Sequence, residues 1–104
     1  MERCAWKAKI KAGKLDEYKK CHDDIWPEMK QMFREAGINN YSIWNCGEEL
    51  FGYYECENTE TAERVQRESD TFHRWKEYLK DIMLTEDEQG KTKKTLTNVF
   101  LFEK

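Results

Sequence analysis

Between Arg3 and Ala36 the apolar period switches from two to three-and-four, and that switch decides the layout of the chain. Cys4, Trp6, Ala8 and Ile10 alternate with Arg3, Lys7, Lys9 and Lys11, which predicts a strand over Arg3 to Lys11 with one covered face and one wet face. Gly13 breaks it. From Leu15 onward, Leu15, Tyr18, His22, Ile25, Met29, Met32, Phe33 and Ala36 recur at helical spacing, ending at Gly37, which suits a left-handed cap. Pro27 interrupts this helix because it lacks a donor and clashes with the preceding turn. Either the helix kinks near Asp23, or it stops and restarts with Asp24 as a new cap. Both outcomes open the backbone beside His22.

The remaining segments follow the same logic. Tyr41 to Cys46 reads as a second strand, Gly47-Glu48-Glu49 as a turn, and the aromatic-rich Leu50 to Cys56 as its hairpin partner. Asn58-Thr59 opens a polar helix, and Ser69-Asp70 caps another that carries Phe72, Trp75, Leu79 and Ile82. Thr85 to Thr95 is polar and holds Gly90, so it reads as a loop; Leu96 to Phe102 reads as a closing strand. The order is β-α-β-β-α-β, with the second helical region open to a split. It is an α+β, ferredoxin-like arrangement forming a single domain over residues 1–104. Helices cover only one face of such a sheet. The aromatic strands would leave rings on the other, so a symmetric homodimer burying face against face is expected.

Charge excludes some partners. Eighteen Lys and Arg against 21 Asp and Glu give a net charge of −3, poor footing for a nucleic-acid protein. The short runs Lys19-Lys20 and Lys93-Lys94 read as solvated surface. Met1 to Lys7 lacks an apolar core of signal-peptide type, and no stretch reaches membrane-span length, so a cytoplasmic protein without a membrane partner is expected. Cys4, Cys21, Cys46 and Cys56 form no CxxC pair and have no His at zinc-finger spacing. Reduced, mostly buried thiols and no metal site are expected, although the count alone permits a disulfide frame. No GxGxxG, P-loop, GxSxG or HExxH occurs, so no cofactor is expected.

His22 is the leading chemical candidate. Tyr18 lies one helical turn before it, placing a phenol and an imidazole in the same space, and imidazole is suited to proton transfer near neutral pH. The blander reading is a core histidine bonded to a carbonyl. Asp23 and Asp24, able to hold or charge the ring, and the opening at Pro27 favour function. Cys21 points about 100° away from His22 on a helix, which argues against a thiolate–imidazole pair. His73 has charged flanks that suggest a solvated helix side. Trp75 serves either as a core anchor or as a platform for a sugar face. Tyr41 opens a strand after Asn39-Asn40, and its bland reading is a strand-edge tyrosine with its hydroxyl in water.

The stretch from Glu17-Tyr18 through His22 to Ile25-Trp26-Pro27-Glu28, with Asn40-Tyr41-Ser42-Ile43, Arg74-Trp75, Tyr78, Asp81-Ile82-Met83 and the closing Leu96 to Phe102, resembles the L-rhamnose mutarotase family over nearly the whole chain. The resemblance implies a cytosolic homodimer of dimeric α+β barrel type that interconverts the α and β anomers of L-rhamnose. It also implies that His22 is the proton donor and that Tyr18, Tyr41 and Trp75 bind substrate. The chain departs from the family pattern at Lys76, where a second aromatic substrate-binding residue is usual, and in a slightly short hairpin between Tyr41 and Glu55.

Mutarotation opens a hemiacetal and recloses it on the other face of the carbonyl. It needs an acid and a base but no redox chemistry, metal or covalent intermediate, and one imidazole with oriented hydroxyls suits that task. The alternatives are a monooxygenase of the same dimeric-barrel architecture and a non-catalytic ligand-sensing module.

Overall fold

The computed structural model describes residues 1–84 and 93–104. Eight elements follow in chain order: β1 (Glu2–Lys9), α1 (Leu15–Asp23), α2 (Pro27–Glu35), β2 (Ile38–Cys46), β3 (Glu49–Cys56), α3 (Thr59–Glu68), α4 (Asp70–Tyr78) and β4 (Lys93–Leu96). The strands form an antiparallel sheet in the order β2-β3-β1-β4, and helices cover one face. This is the ferredoxin-like α+β arrangement that the period switch implied, with both helical regions divided in two.

Register determines which side chains meet the helices. Trp6 stands opposite Gly52 on β3 and Thr95 on β4, while Ala8 stands opposite Leu50 and Lys93. Trp6, Ala8, Leu50 and Tyr54 therefore share the covered face, where they join Tyr18, Met29, Met32, Trp75, Leu79 and Ile82 in the core.

The break at Pro27 is the second of the two options. α1 ends with Asp24 as its C-cap, and α2 restarts with extended Trp26 as N-cap and Pro27 in its first turn, where proline's missing donor costs nothing. The restart cap is therefore Trp26, not Asp24. Gly37, at φ +74°, closes α2 as expected. Asn58 accepts from the Thr61 amide at 2.9 Å, and Ser69 accepts from the Phe72 amide at 3.1 Å, so both sequence-read caps are in place.

Several boundaries move. β1 stops at Lys9, and Ile10 continues only as a single bridge to Met83. β2 begins at Ile38 rather than Tyr41. The expected loop over Thr85 to Thr95 falls partly on residues 85–92, outside the described residues, and its last three residues belong to β4. The closing strand comes earlier than expected, because 97–102 pair with no strand among the described residues. There Val99, Phe100 and Phe102 are 93%, 80% and 76% exposed. The apolar composition that suggests a strand instead marks an exposed tail.

The uncovered sheet face carries aromatic rings, as the strand composition implies, interleaved with charge. Phe51, Tyr53 and Trp44 share it with the ion pairs Arg3–Glu55 (3.8 Å) and Lys7–Glu49 (3.7 Å). All four cysteines are free thiols, and only Cys56 is buried, which corrects the expectation of mostly buried ones.

Candidate active site

A cavity of about 720 Å³ lies between the helices and the covered face of the sheet, within the range typical of small-molecule sites. Its wall includes Tyr18 and His22 from α1, Trp6 from β1, Tyr41 from β2, Trp75 from α4 and Lys93 from β4. The wall thus brings these residues together from far apart in sequence, out of both helical regions and three of the four strands.

His22 is held from two sides. Its Nδ1 lies 2.9 Å from the Tyr18 carbonyl oxygen, which can only accept, so Nδ1 carries the proton of the neutral ring. The neutral tautomer then leaves the lone pair on Nε2, which has no hydrogen-bond partner among the described residues. The ring also sits 4.3 Å from Tyr18 and meets Trp75 edge-on at 5.3 Å. Burial pushes the imidazole below its ordinary pKa, the Tyr18 carbonyl and Asp23 counteract that, and Lys93 adds to it. The resting ring is thus a neutral base. The carbonyl bond of the bland reading is present, and it leaves the other ring nitrogen turned away from that carbonyl.

Tyr18 is 6% exposed, and burial together with nearby Tyr41 drives its phenol further up, so it is a neutral hydroxyl. Tyr41 is no strand-edge tyrosine in water. Its hydroxyl accepts from the Trp6 indole N–H at 2.9 Å, its ring packs at 5.2 Å from both Phe33 and Tyr54, and burial raises its pKa as well.

Trp75 is only 3% exposed, with Trp26 edge-on at 5.0 Å, so the core-anchor reading holds while the same ring closes the cavity wall behind His22. Lys76 is exposed at the cavity rim, with its ammonium 5.0 Å from the centre of the Phe72 ring. His73 is absent from the cavity and exposed, its Nε2 bonded to the Arg67 carbonyl at 2.7 Å. Cys21 turns to the Tyr78 hydroxyl rather than to His22.

The sequence reading missed Lys93. The run Lys93-Lys94 reads as solvated surface, yet strand alternation sends the two side chains to opposite faces. Lys93 pairs with Ala8 on the covered side, and its ammonium sits 4.5 Å above the Trp6 ring and 5.3 Å from Phe72. Placing the last strand three residues earlier would have revealed it.

A ferredoxin-like α+β fold with a cavity that presents a carbonyl-oriented imidazole among neutral phenols offers the groups that acid–base chemistry on a small uncharged molecule needs. The L-rhamnose mutarotase family model matches residues 3–102, and the chain belongs to that family of isomerases. It is 36% identical over 102 residues to an L-rhamnose mutarotase from Lachnoclostridium phytofermentans, covering 96% of this chain and 97% of that one. It is likewise similar to the crystal structure of an L-rhamnose mutarotase from Formosa agariphila, with a TM-score of 0.84, 28% identity, and coverage of 99% and 100% of the two chains. A dimeric ferredoxin-like protein from an uncultured marine organism shares the fold at a TM-score of 0.63 and 18% identity, covering 97% of this chain and 94% of that one. The family match favours neither the monooxygenase nor the ligand-sensing alternative.

Proposed function

We propose that this protein interconverts the α and β anomers of L-rhamnose by acid–base opening and reclosure of the pyranose ring, with His22 moving the proton of the anomeric hydroxyl. The observation that carries the reading is the bond from His22 Nδ1 to the Tyr18 carbonyl, which leaves Nε2 as a base in the wall of the cavity. Nε2 takes the O1 proton as the C1–O5 bond breaks and O5 takes a proton from an acid in the site, which gives the open-chain hydroxy-aldehyde. After rotation about C1–C2, the imidazolium returns its proton to O1 as O5 attacks the other face of C1 and gives its own proton back. The donor role that the resemblance assigned to His22 is this second half-step.

Tyr18 and Tyr41 supply neutral hydroxyls to sugar oxygens, and Trp75 offers an apolar surface for the C–H face of the ring. Lys76 stands where it can reach a sugar hydroxyl from the rim. The family match, the cavity size and the neutral phenols all support a sugar as the ligand. Saturation-transfer NMR between L-rhamnose anomers tests the reading, because exchange no faster than in buffer would remove it.

We also propose that the protein is a single-domain cytoplasmic homodimer. The exposed run Val99 to Phe102 and the incompletely covered sheet face support it, since apolar surface of that extent is unusual on a monomer. No described helix is long and apolar enough to cross a membrane.

A further inference from the structure

Ring opening needs a proton at O5 as well as a base at O1, and His22 cannot serve both atoms in one step. We propose that Lys93, held on β4 over the Trp6 and Phe72 rings in the wall of the same cavity, is the second catalytic residue and donates the proton to the ring oxygen. The proposal rests on the mutarotase reading and completes its proton balance.

The placement is specific. The β1–β4 register sets Lys93 opposite Ala8 on the helix-covered face, and two aromatic rings hold its ammonium at 4.5 and 5.3 Å. Rings of this kind hold a cation by their quadrupole and leave its N–H donors free for another acceptor. Among the described residues no carboxylate lies within ion-pair distance of Lys93. Its charge is nevertheless felt at His22, where it helps to keep the imidazole neutral.

The groups facing Lys93 are Cys4 from β1, Lys76 from α4 and His22 from α1, with Asp23 beside His22. Burial first, and then repulsion from Lys76, bring the Lys93 ammonium down to about 8. At neutral pH the pair therefore rests as imidazole and ammonium, a base and an acid pushed to opposite protonation states in one cavity. An acid this close to the working pH gives up its proton far more readily than an ordinary lysine.

The step balances. As C1–O5 breaks, O1 gives its proton to His22 Nε2, and Lys93 Nζ gives one to O5. On reclosure O5 returns its proton to Lys93, and O1 recovers its proton from His22. Both side chains end as they began.

Anomer exchange by wild type, Lys93→Met and Lys93→Arg, measured by saturation-transfer NMR from pH 5 to 10, tests this, with circular dichroism confirming that each variant is folded. The expectation is a wild-type rate that falls on both sides, with the alkaline limb near the Lys93 value of about 8. Each variant should lose about 10²-fold at pH 7 and lack that limb. Arginine separates the roles, because it keeps the charge but holds its proton throughout this range. Restored exchange in Lys93→Arg, a wild-type rate in Lys93→Met, or an unchanged alkaline limb in either would overturn the proposal. A limb that disappears in Cys4→Ser while Lys93 is intact would also overturn it. Wild-type protein that fails to exceed buffer would instead sink the mutarotase reading itself, a result distinguishable from the others because no variant is involved.

Discussion

Gly52 on β3 faces the indole of Trp6 across the β1–β3 pair so closely that a Cβ at position 52 would overlap the ring. Glycine is required here by space, not by backbone angle. The indole pressed against it donates to Tyr41 and carries Lys93 on its face, so one missing methyl sets the floor of the cavity.

Gly52→Ala is accordingly expected to displace Trp6 and to cost roughly 1–3 kcal/mol, the usual range for overpacking a core. Urea unfolding followed by tryptophan fluorescence measures it. Anomer exchange should fall in the same variant as the Tyr41 hydroxyl and Lys93 lose their common support. A fully stable variant with wild-type exchange would show that Trp6 is free to move without consequence.

Much of this architecture was legible because it follows from local rules. The period switch gave β1 and α1, Gly37 closed α2, and Asn58 and Ser69 capped their helices as their side chains imply. The pairing of Tyr18 with His22 was also local, being one helical turn. What failed was long-range. The register of β4 depends on what β1 offers it, and an apolar run at Val99 to Phe102 looked more like a strand than the lysine-bearing segment that fills that role. The Trp6–Tyr41 hydrogen bond joins residues 35 apart, a contact no periodicity announces.

Stability should respond to pH through both half-buried bases. The folded state lowers His22 below its ordinary 6.5, so the unfolded chain binds more protons in the interval beneath that value, and stability drops as pH falls through it. Lys93 is lowered from 10.5 to about 8, so stability gains as pH rises from 8 towards 10.5, and below 8 the buried charge burdens the fold. Urea midpoints of wild type and Lys93→Met across pH 7 to 11 check the second point. The variant should be at least as stable at pH 7, with the difference shifting in favour of wild type as pH rises.

The dimer is open to a simple hydrodynamic test. Sedimentation at micromolar concentration should give twice the mass of the 12.6 kDa chain. Replacing exposed Phe100 and Phe102 by Ser should shift the protein towards monomer without unfolding it. A wild-type monomer under these conditions contradicts the assembly and leaves the tail unexplained.

Lys76→Trp should change sugar preference more than proton transfer. An indole at this rim position stacks on a sugar face, whereas the present ammonium offers charge and donors. Exchange rates for L-rhamnose, L-fucose and L-mannose, taken as ratios, should shift by severalfold. Constant ratios would mean that Lys76 belongs to solvent.

The central claim is that His22 moves the proton of the anomeric hydroxyl, and His22→Asn tests it most directly. Asparagine can keep a hydrogen bond to the Tyr18 carbonyl while lacking a group that titrates near neutral pH. Saturation-transfer NMR at pH 7 should show L-rhamnose anomer exchange reduced by about 10²-fold or more in a folded variant. Exchange at the wild-type rate would make His22 a structural histidine and contradict the account.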